Sequence, residues 1–215
     1  MQGLGMTAAD WMAVALSLRV ALAATTVALI PGVALAWALA RNRLRGAFLW
    51  EHVAMLPLVL PPVVTGYALL LVLPRTVAFT WIAGVLASAI VGFPLLVQTA
   101  KLAFEAVDRQ VEEAAEADGA SRAQVFRRVT LPLALPGILA GVALHFARAL
   151  GEFGATVVVA GNIPGRTQTL PLALYSRLNE AEGEGPALRL AFVAVGLSVV
   201  CLGVYAVLVR RLREG

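Results

Sequence analysis

The sequence predicts an all-α integral membrane protein: a polytopic bundle of five transmembrane helices, with room for a sixth between 162 and 186. Three observations carry that expectation. Of the 215 residues, 60% are hydrophobic and only 14% are charged, whereas a soluble domain is close to half apolar and about a quarter charged. The mean hydropathy is +0.84. The apolar residues fall in continuous runs long enough to cross a bilayer, which takes about 20 residues, and they do not alternate, so helices are favoured over strands. The same composition excludes disorder, and the lone Cys201 excludes a disulfide scaffold. Flanked by apolar residues, that thiol reads as buried rather than reactive. The net charge is +4. Its basic residues gather at the ends of apolar runs, which suits membrane orientation and not a nucleic-acid face.

The chain reads as a single transmembrane domain, 1–215, with spans at about 11–40, 53–74, 76–100, 131–160 and 190–209. The first is interrupted by Arg19 and by Pro31-Gly32; the second and third carry no charge. The fourth continues past Arg148 and Glu152. Between the last two lies a Gly- and Pro-containing stretch, 162–186, expected to be loop with a short re-entrant or interfacial piece around Leu170–Leu178. Residues 1–10 contain no Lys or Arg and the first apolar run is too long for a signal peptide, so that helix is expected to stay, although Ala36-Trp37-Ala38 could pass as a cleavage site.

Eleven basic residues lie on one side of these spans: Arg41, Arg43 and Arg45; Lys101, Arg109, Arg122, Arg127 and Arg128; and Arg210, Arg211 and Arg213. Arg75, Arg166 and Arg177 lie on the other, with Arg189 at the boundary. Positive charge marks the cytoplasmic side. The N-terminus is therefore expected outside and the C-terminus inside, as an odd number of crossings requires.

A catalytic apparatus is hard to assemble. His52 and His145 sit on different spans, no cluster has metal-ligand spacing, and the only lysine, Lys101, follows Val97-Gln98-Thr99-Ala100 and not a glycine-rich phosphate loop. The expectation is a non-enzyme without a cofactor of its own. Any nucleotide that energises it, ATP with Mg²⁺ included, belongs on another subunit.

The most informative region is the polar inner segment 104–131. It reads as two short helices: the first about Glu105 to Ala117, stopped by Asp118-Gly119, the second capped by Ser121 with Gln124 three residues on and closed by Pro132. Ala115 and Gly119, four apart, give the first helix a bare face. Such a unit can rest on lipid headgroups or dock in a groove of another protein. The mixture of acids and bases argues for docking, because anionic lipid rewards a purely cationic face.

Glu113-Ala114-Ala115, three residues, Gly119, nine residues, then Val129-Thr130-Leu131-Pro132 resembles the E-A-A-x3-G-x9-I-x-L-P loop of ABC importer permeases, with Val129 in the Ile place. The resemblance implies the type I importer permease fold. It also implies that Glu113, Ala114, Ala115, Gly119, Leu131 and Pro132 form the element that docks on a cytoplasmic ATPase. Leu56-Pro57-Leu58-Val59-Leu60-Pro61-Pro62 with Gly66-Tyr67, and Gly151-Glu152-Phe153-Gly154-Ala155-Thr156, are similar to the molybdate (ModB type) branch; sulfate permeases typically carry Gly-Glu-Tyr-Gly-Ser at the latter. The resemblance implies two permease copies, two ABC ATPase subunits and an extracytoplasmic oxyanion-binding protein, working in the cytoplasmic (inner) membrane by alternating access. Sulfate or thiosulfate is the alternative substrate. An ion-coupled secondary transporter is the rival class, opposed by the charge-free second, third and fifth spans.

Within the membrane, Pro57, Pro61 and Pro62 must break or bend the second span, either as a packed kink or as pathway lining. His145, Arg148 and Glu152 share a helical face. Arg148 stands about 26 Å above Leu131, near the outer interface, where it either pairs with Glu152 or meets substrate. Pro61, Pro62, Glu152, Phe153, Gly154 and Thr156 are the candidate pathway and gate residues, the last four through the outer gate that the resemblance implies. Gly137 and Gly141 suit close helix packing within the bundle. Arg19 is expected to snorkel, and Trp11, Trp50 and Trp81 to sit at interfaces.

Overall fold

The computed structural model describes residues 6–181 and 183–214, without the side chains of 208, 209 and 211–214. The sequence expectation about residues 1–10 therefore lies partly outside the described residues, as do the Arg211 and Arg213 side chains. Ten α-helices and one π segment follow one another: α1 (Ala8–Ala40), α2 (Ala47–Val59), α3 (Pro62–Val72), α4 (Trp81–Glu105), α5 (Arg109–Ala117), α6 (Arg122–Val125), the π segment (Phe126–Thr130), α7 (Leu131–Leu150), α8 (Gly154–Val159), α9 (Leu170–Leu178) and α10 (Glu184–Glu214). Among the described residues, four helical stretches are long and apolar enough to cross a membrane: α1, α4, the continuous run from α6 to α7, and α10. A fifth arises if α2 and α3, bent by 113°, count as one broken span.

The bundle is organised around α4, which packs along both α1 and α7. Small residues let these backbones approach: Ala21, Ala24 and Ala28 of α1 meet Ala89 and Leu96 of α4 in one buried cluster, with Ala149 and Leu150 of α7. Gly137 and Gly141 do this between α7 and α4. A methyl group on Gly137 would fall 2.4 Å from the Ala103 Cβ, and one on Gly141 3.1 Å from the Leu96 carbonyl oxygen. Large apolar side chains such as Ile30, Val59, Val72 and Phe192 point outward. In water that surface would be a liability; against hydrocarbon it is the expected solvent face.

Local chemistry places the element ends. Thr7 caps α1 in a capping box, its hydroxyl accepting the Asp10 amide at 3.2 Å while Asp10 accepts the Thr7 amide at 2.9 Å. The second apolar run does not start at Val53 and cross continuously to 74. Helix α2 begins at Ala47, after Gly46 takes φ 72°, and the chain turns extended at Leu60 and Pro61. A residue before proline is pushed out of the helical region, and two successive prolines remove two ladder donors. The fourth run likewise does not continue to 160. Gly151 ends α7, Phe153 is the N-cap of α8, and the Glu152 Oε1 accepts the first-turn Ala155 amide at 2.7 Å.

Two details of the polar segment also differ from the sequence reading. Glu105 is the last residue of α4; α5 starts at Arg109, capped by Asp108 accepting the Gln110 amide. Pro132 does not close the second short helix. That helix runs on through a widened π turn at Phe126–Thr130 into α7, where Pro132 stands in the first turn, a position that tolerates its missing N–H. The Arg19 guanidinium lies 4.2 Å over the ring of Trp81, the first residue of α4, so an aromatic face of that helix helps to hold the charge.

On the face carrying the N-terminus, Arg177 of α9 reaches Asp10 of α1 at 3.2 Å and Glu180 at 3.1 Å. Its hydrogen bond with Glu180, joined by that with Asp10, raises the guanidinium pKa above its ordinary value. Ser17 accepts the Leu170 amide at 2.6 Å, so α9 is laced to α1 along its length.

Candidate functional site

Helix α5 buries none of its residues. Glu113 and Ala114 are exposed, Ala115 is half-buried, and the turn that follows exposes Gly119. Gly119 has φ +87°, and a methyl group there would meet no atom within 4 Å. The left-handed backbone therefore calls for the glycine, and packing inside the chain does not. Ser121 and Gln124 form the expected capping box, at 2.8 and 3.4 Å. Leu131 and Pro132 stand at the start of α7, beyond the π segment, half-buried and exposed respectively. The motif thus presents a projecting helix and turn whose base is rooted in a long apolar helix.

The membrane-embedded candidates converge from two distant stretches of sequence. The break at Pro61-Pro62 packs on the α7–α8 junction: a methyl group on Gly154 would lie 3.0 Å from the Pro62 Cβ. One turn on, a methyl on Gly66 would fall 2.6 Å from the Ala155 carbonyl oxygen, so α3 and α8 lie backbone to backbone. Pro61 stays exposed and Pro62 and Phe153 half-buried, with Phe153 packed on Tyr175 of α9 at 5.2 Å between ring centroids. Glu152 is buried and Arg148 lies within ion-pair distance of it, 2.6 Å across one turn, although the contact lacks hydrogen-bond geometry at the Glu152 Oε2. Thr156 is buried with no hydrogen-bond partner for its hydroxyl, as are Thr65 of α3 and Ser88 of α4. An unpartnered buried hydroxyl costs about 1–3 kcal/mol. Three of them on the helices that meet around α8 are unusual for a purely structural seam.

Residues 28–214 match the family model described as binding-protein-dependent transport system inner membrane component. The chain belongs to that family. The permease is 44% identical over 97% of both chains to the molybdenum transport system permease protein ModB of Escherichia coli K12. It is 44% identical to ModB of Haemophilus influenzae over 88% of this chain and 89% of that one. A sulfate transport system permease protein, CysT of Salmonella typhimurium, is 38% identical over 69% of this chain and 58% of its own length. Among solved structures, the inward-facing MetNI methionine ABC transporter matches with a TM-score of 0.72 and 16% identity, covering 94% of both chains, and so shares the fold. The permease is thus a subunit of an ABC transporter, with no group of metal-ligating side chains among its described residues.

Sequence reasoning passed over several of the permease's contacts. It put His145 on a face with Arg148 and Glu152, but the ring turns into the bundle instead. Its Nε2–H donates to the Ala89 carbonyl at 3.2 Å, Nδ1 lies 3.1 Å from the Thr25 hydroxyl, and the Gly92 backbone leaves room for the ring. Lys101 bridges α4 to α2 through Glu51 at 2.6 Å. Glu112, one residue before the motif, accepts from Arg41 at 2.8 Å and from the Thr130 hydroxyl at 2.5 Å. None of these pairs has a short-range signature, because the partners come from different helices. For His145 and Lys101 the one usable hint was composition, a polar residue in an otherwise apolar stretch; Glu112 and Arg41 lie among other charges and offered none.

Proposed function

We propose that this chain is the membrane-spanning subunit of an ATP-driven importer for molybdate, with tungstate as a chemically equivalent cargo. The observation that carries the reading is the end-to-end likeness to molybdenum permeases, 44% over 97% of both chains. Likeness to a sulfate permease is lower and covers 69% of this chain. Two copies enclose the pathway in the inner membrane, two ABC ATPase subunits sit below, and an extracytoplasmic binding protein delivers the anion. The N-terminus lies outside and the C-terminus in the cytoplasm, which follows the side on which basic residues gather. ATP and its Mg²⁺ are held by the partner ATPase.

The mechanism is alternating access driven through the projecting segment. Glu113, Ala114, Ala115 and Gly119 dock on the ATPase; Leu131 and Pro132 pass its movement to α7. The exposure of α5 and the open space around Gly119 support docking there. Nucleotide state and gate state then bias each other. The gate is the α3–α8 seam at Pro61, Pro62, Glu152, Phe153, Gly154 and Thr156. Hydroxyls without partners at Thr65, Ser88 and Thr156 support an anion route there, since a dianion is better passed by neutral donors than trapped by a cation.

The deciding experiment is uptake of radiolabelled molybdate into vesicles containing the permease, its ATPase and its binding protein. Uptake is expected only with ATP inside the ATPase compartment, competed by tungstate far better than by sulfate. Uptake driven by an ion gradient without the ATPase would overturn the reading; equal competition by sulfate would move the substrate to the alternative.

A further inference from the structure

Helix α5 projects from the bundle with no buried residue of its own, yet one of its side chains reaches back into the body of the molecule. The Glu112 Oε1 accepts from the Arg41 guanidinium at 2.8 Å and from the Thr130 hydroxyl at 2.5 Å. Arg41 is the C-cap of α1 and Thr130 the last residue of the π segment that opens into α7. A single carboxylate oxygen therefore joins the docking helix to the inner ends of two long bundle helices. The pair is well shielded for an ion pair at a membrane edge, with side-chain exposures of 9% for Arg41 and 18% for Glu112. Beneath it, the ring of Trp37 meets Phe126 edge-on at 4.9 Å and Phe126 stacks on Phe104 of α4 at 6.4 Å.

We propose that Glu112 is a positioning residue for coupling: the joint through which movement of the docking helix reaches α1 and the π segment together. This rests on the coupling reading above and adds a residue outside the motif. Two physical features suit it to the task. A charge-assisted pair shielded from water holds its geometry better than exposed contacts. The π turn that ends at Thr130 is a locally widened helix, a place where a helix changes register at low cost. A pull on Glu112 is thus delivered at the point where α7 yields most easily, while Arg41 carries it to α1.

The test uses the full transport complex in vesicles, reading ATP hydrolysis and molybdate uptake in one preparation. Glu112→Gln is expected to leave ATPase association and basal hydrolysis in place and to lower uptake per ATP at least about fivefold. Thr130→Val should act in the same direction with a smaller loss. Joining Arg41→Glu to Glu112→Arg is expected to recover more uptake per ATP than either reversal alone; a merely structural pair would recover the amount of folded complex and leave uptake per ATP unchanged throughout. An unchanged uptake-to-hydrolysis ratio in Glu112→Gln, with parental uptake intact, overturns the joint alone. Loss of ATPase association in Glu112→Gln also overturns it, because Glu112 would then belong to the docking surface. A parental complex with no ATP-dependent uptake sinks the coupling reading itself.

Discussion

Arg148 Nη1 lies 2.6 Å from Glu152 Oε2, and the two side chains differ widely in exposure, 31% against 1%. The asymmetry sets which partner is dispensable. Removing the cation by Arg148→Met strands a buried carboxylate and is expected to cost about 3–5 kcal/mol. Glu152→Gln leaves an oxygen for the Ala155 amide and a cation that can turn to water, so its loss should be nearer about 1 kcal/mol. Thermal unfolding of the purified permease in detergent checks the ranking; equal losses would refute it.

The α3–α8 seam makes a second comparison possible. Gly66→Ala would drive a methyl to 2.6 Å from the Ala155 carbonyl oxygen, and a backbone atom cannot swing aside. Gly84→Ala would meet Thr156 Cγ2 at an ordinary 3.5 Å. The first is expected to destabilise by about 1–3 kcal/mol and to impair uptake, the second to be nearly silent. Unfolding midpoints and vesicle uptake of the two variants decide the matter.

At Gly119 backbone and bulk can be separated. With φ +87°, alanine there carries left-handed strain of about 1–2 kcal/mol, while asparagine tolerates that region better. Gly119→Asn should therefore insert and fold like the parent yet weaken ATPase co-purification, and Gly119→Trp should weaken it further. If both variants bind the ATPase like the parent, the docking surface lies elsewhere.

The lacing of α9 to α1 predicts a local effect on the side of the N-terminus. Arg177→Gln removes the contacts to Asp10 and Glu180 while leaving the Ser17–Leu170 bond. Amides of α9 should exchange with deuterium faster, and those of α4 should not change. Unchanged protection in α9 would show that the ion pair contributes nothing measurable there.

What could be read from the sequence were the features set by neighbours three or four positions apart. The Ser121–Gln124 box and the stop at Asp118-Gly119 occur where expected, whereas the piece expected around Leu170–Leu178 proves to be a nine-residue helix. The spacing Glu113-Ala114-Ala115…Gly119…Leu131-Pro132 named the family that residues 28–214 match. The prolines at 61 and 62 announced a disturbance in the second apolar run, but not that it would be a 113° turn.

By itself, then, the sequence determined the membrane class, the apolar helices and the projecting segment, because hydropathy and caps act over one or two turns. Only the tertiary structure decided where continuous apolar runs break and what each buried polar group touches. The fourth run breaks at Gly151, where the Glu152 carboxylate turns to the first-turn amide of α8, and Pro132 does not end its helix because it stands in the first turn of α7, where a missing N–H is tolerated. Glu112 faces Arg41 because helices 71 residues apart in the chain converge there, a meeting governed by packing over tens of ångströms that no local pattern encodes.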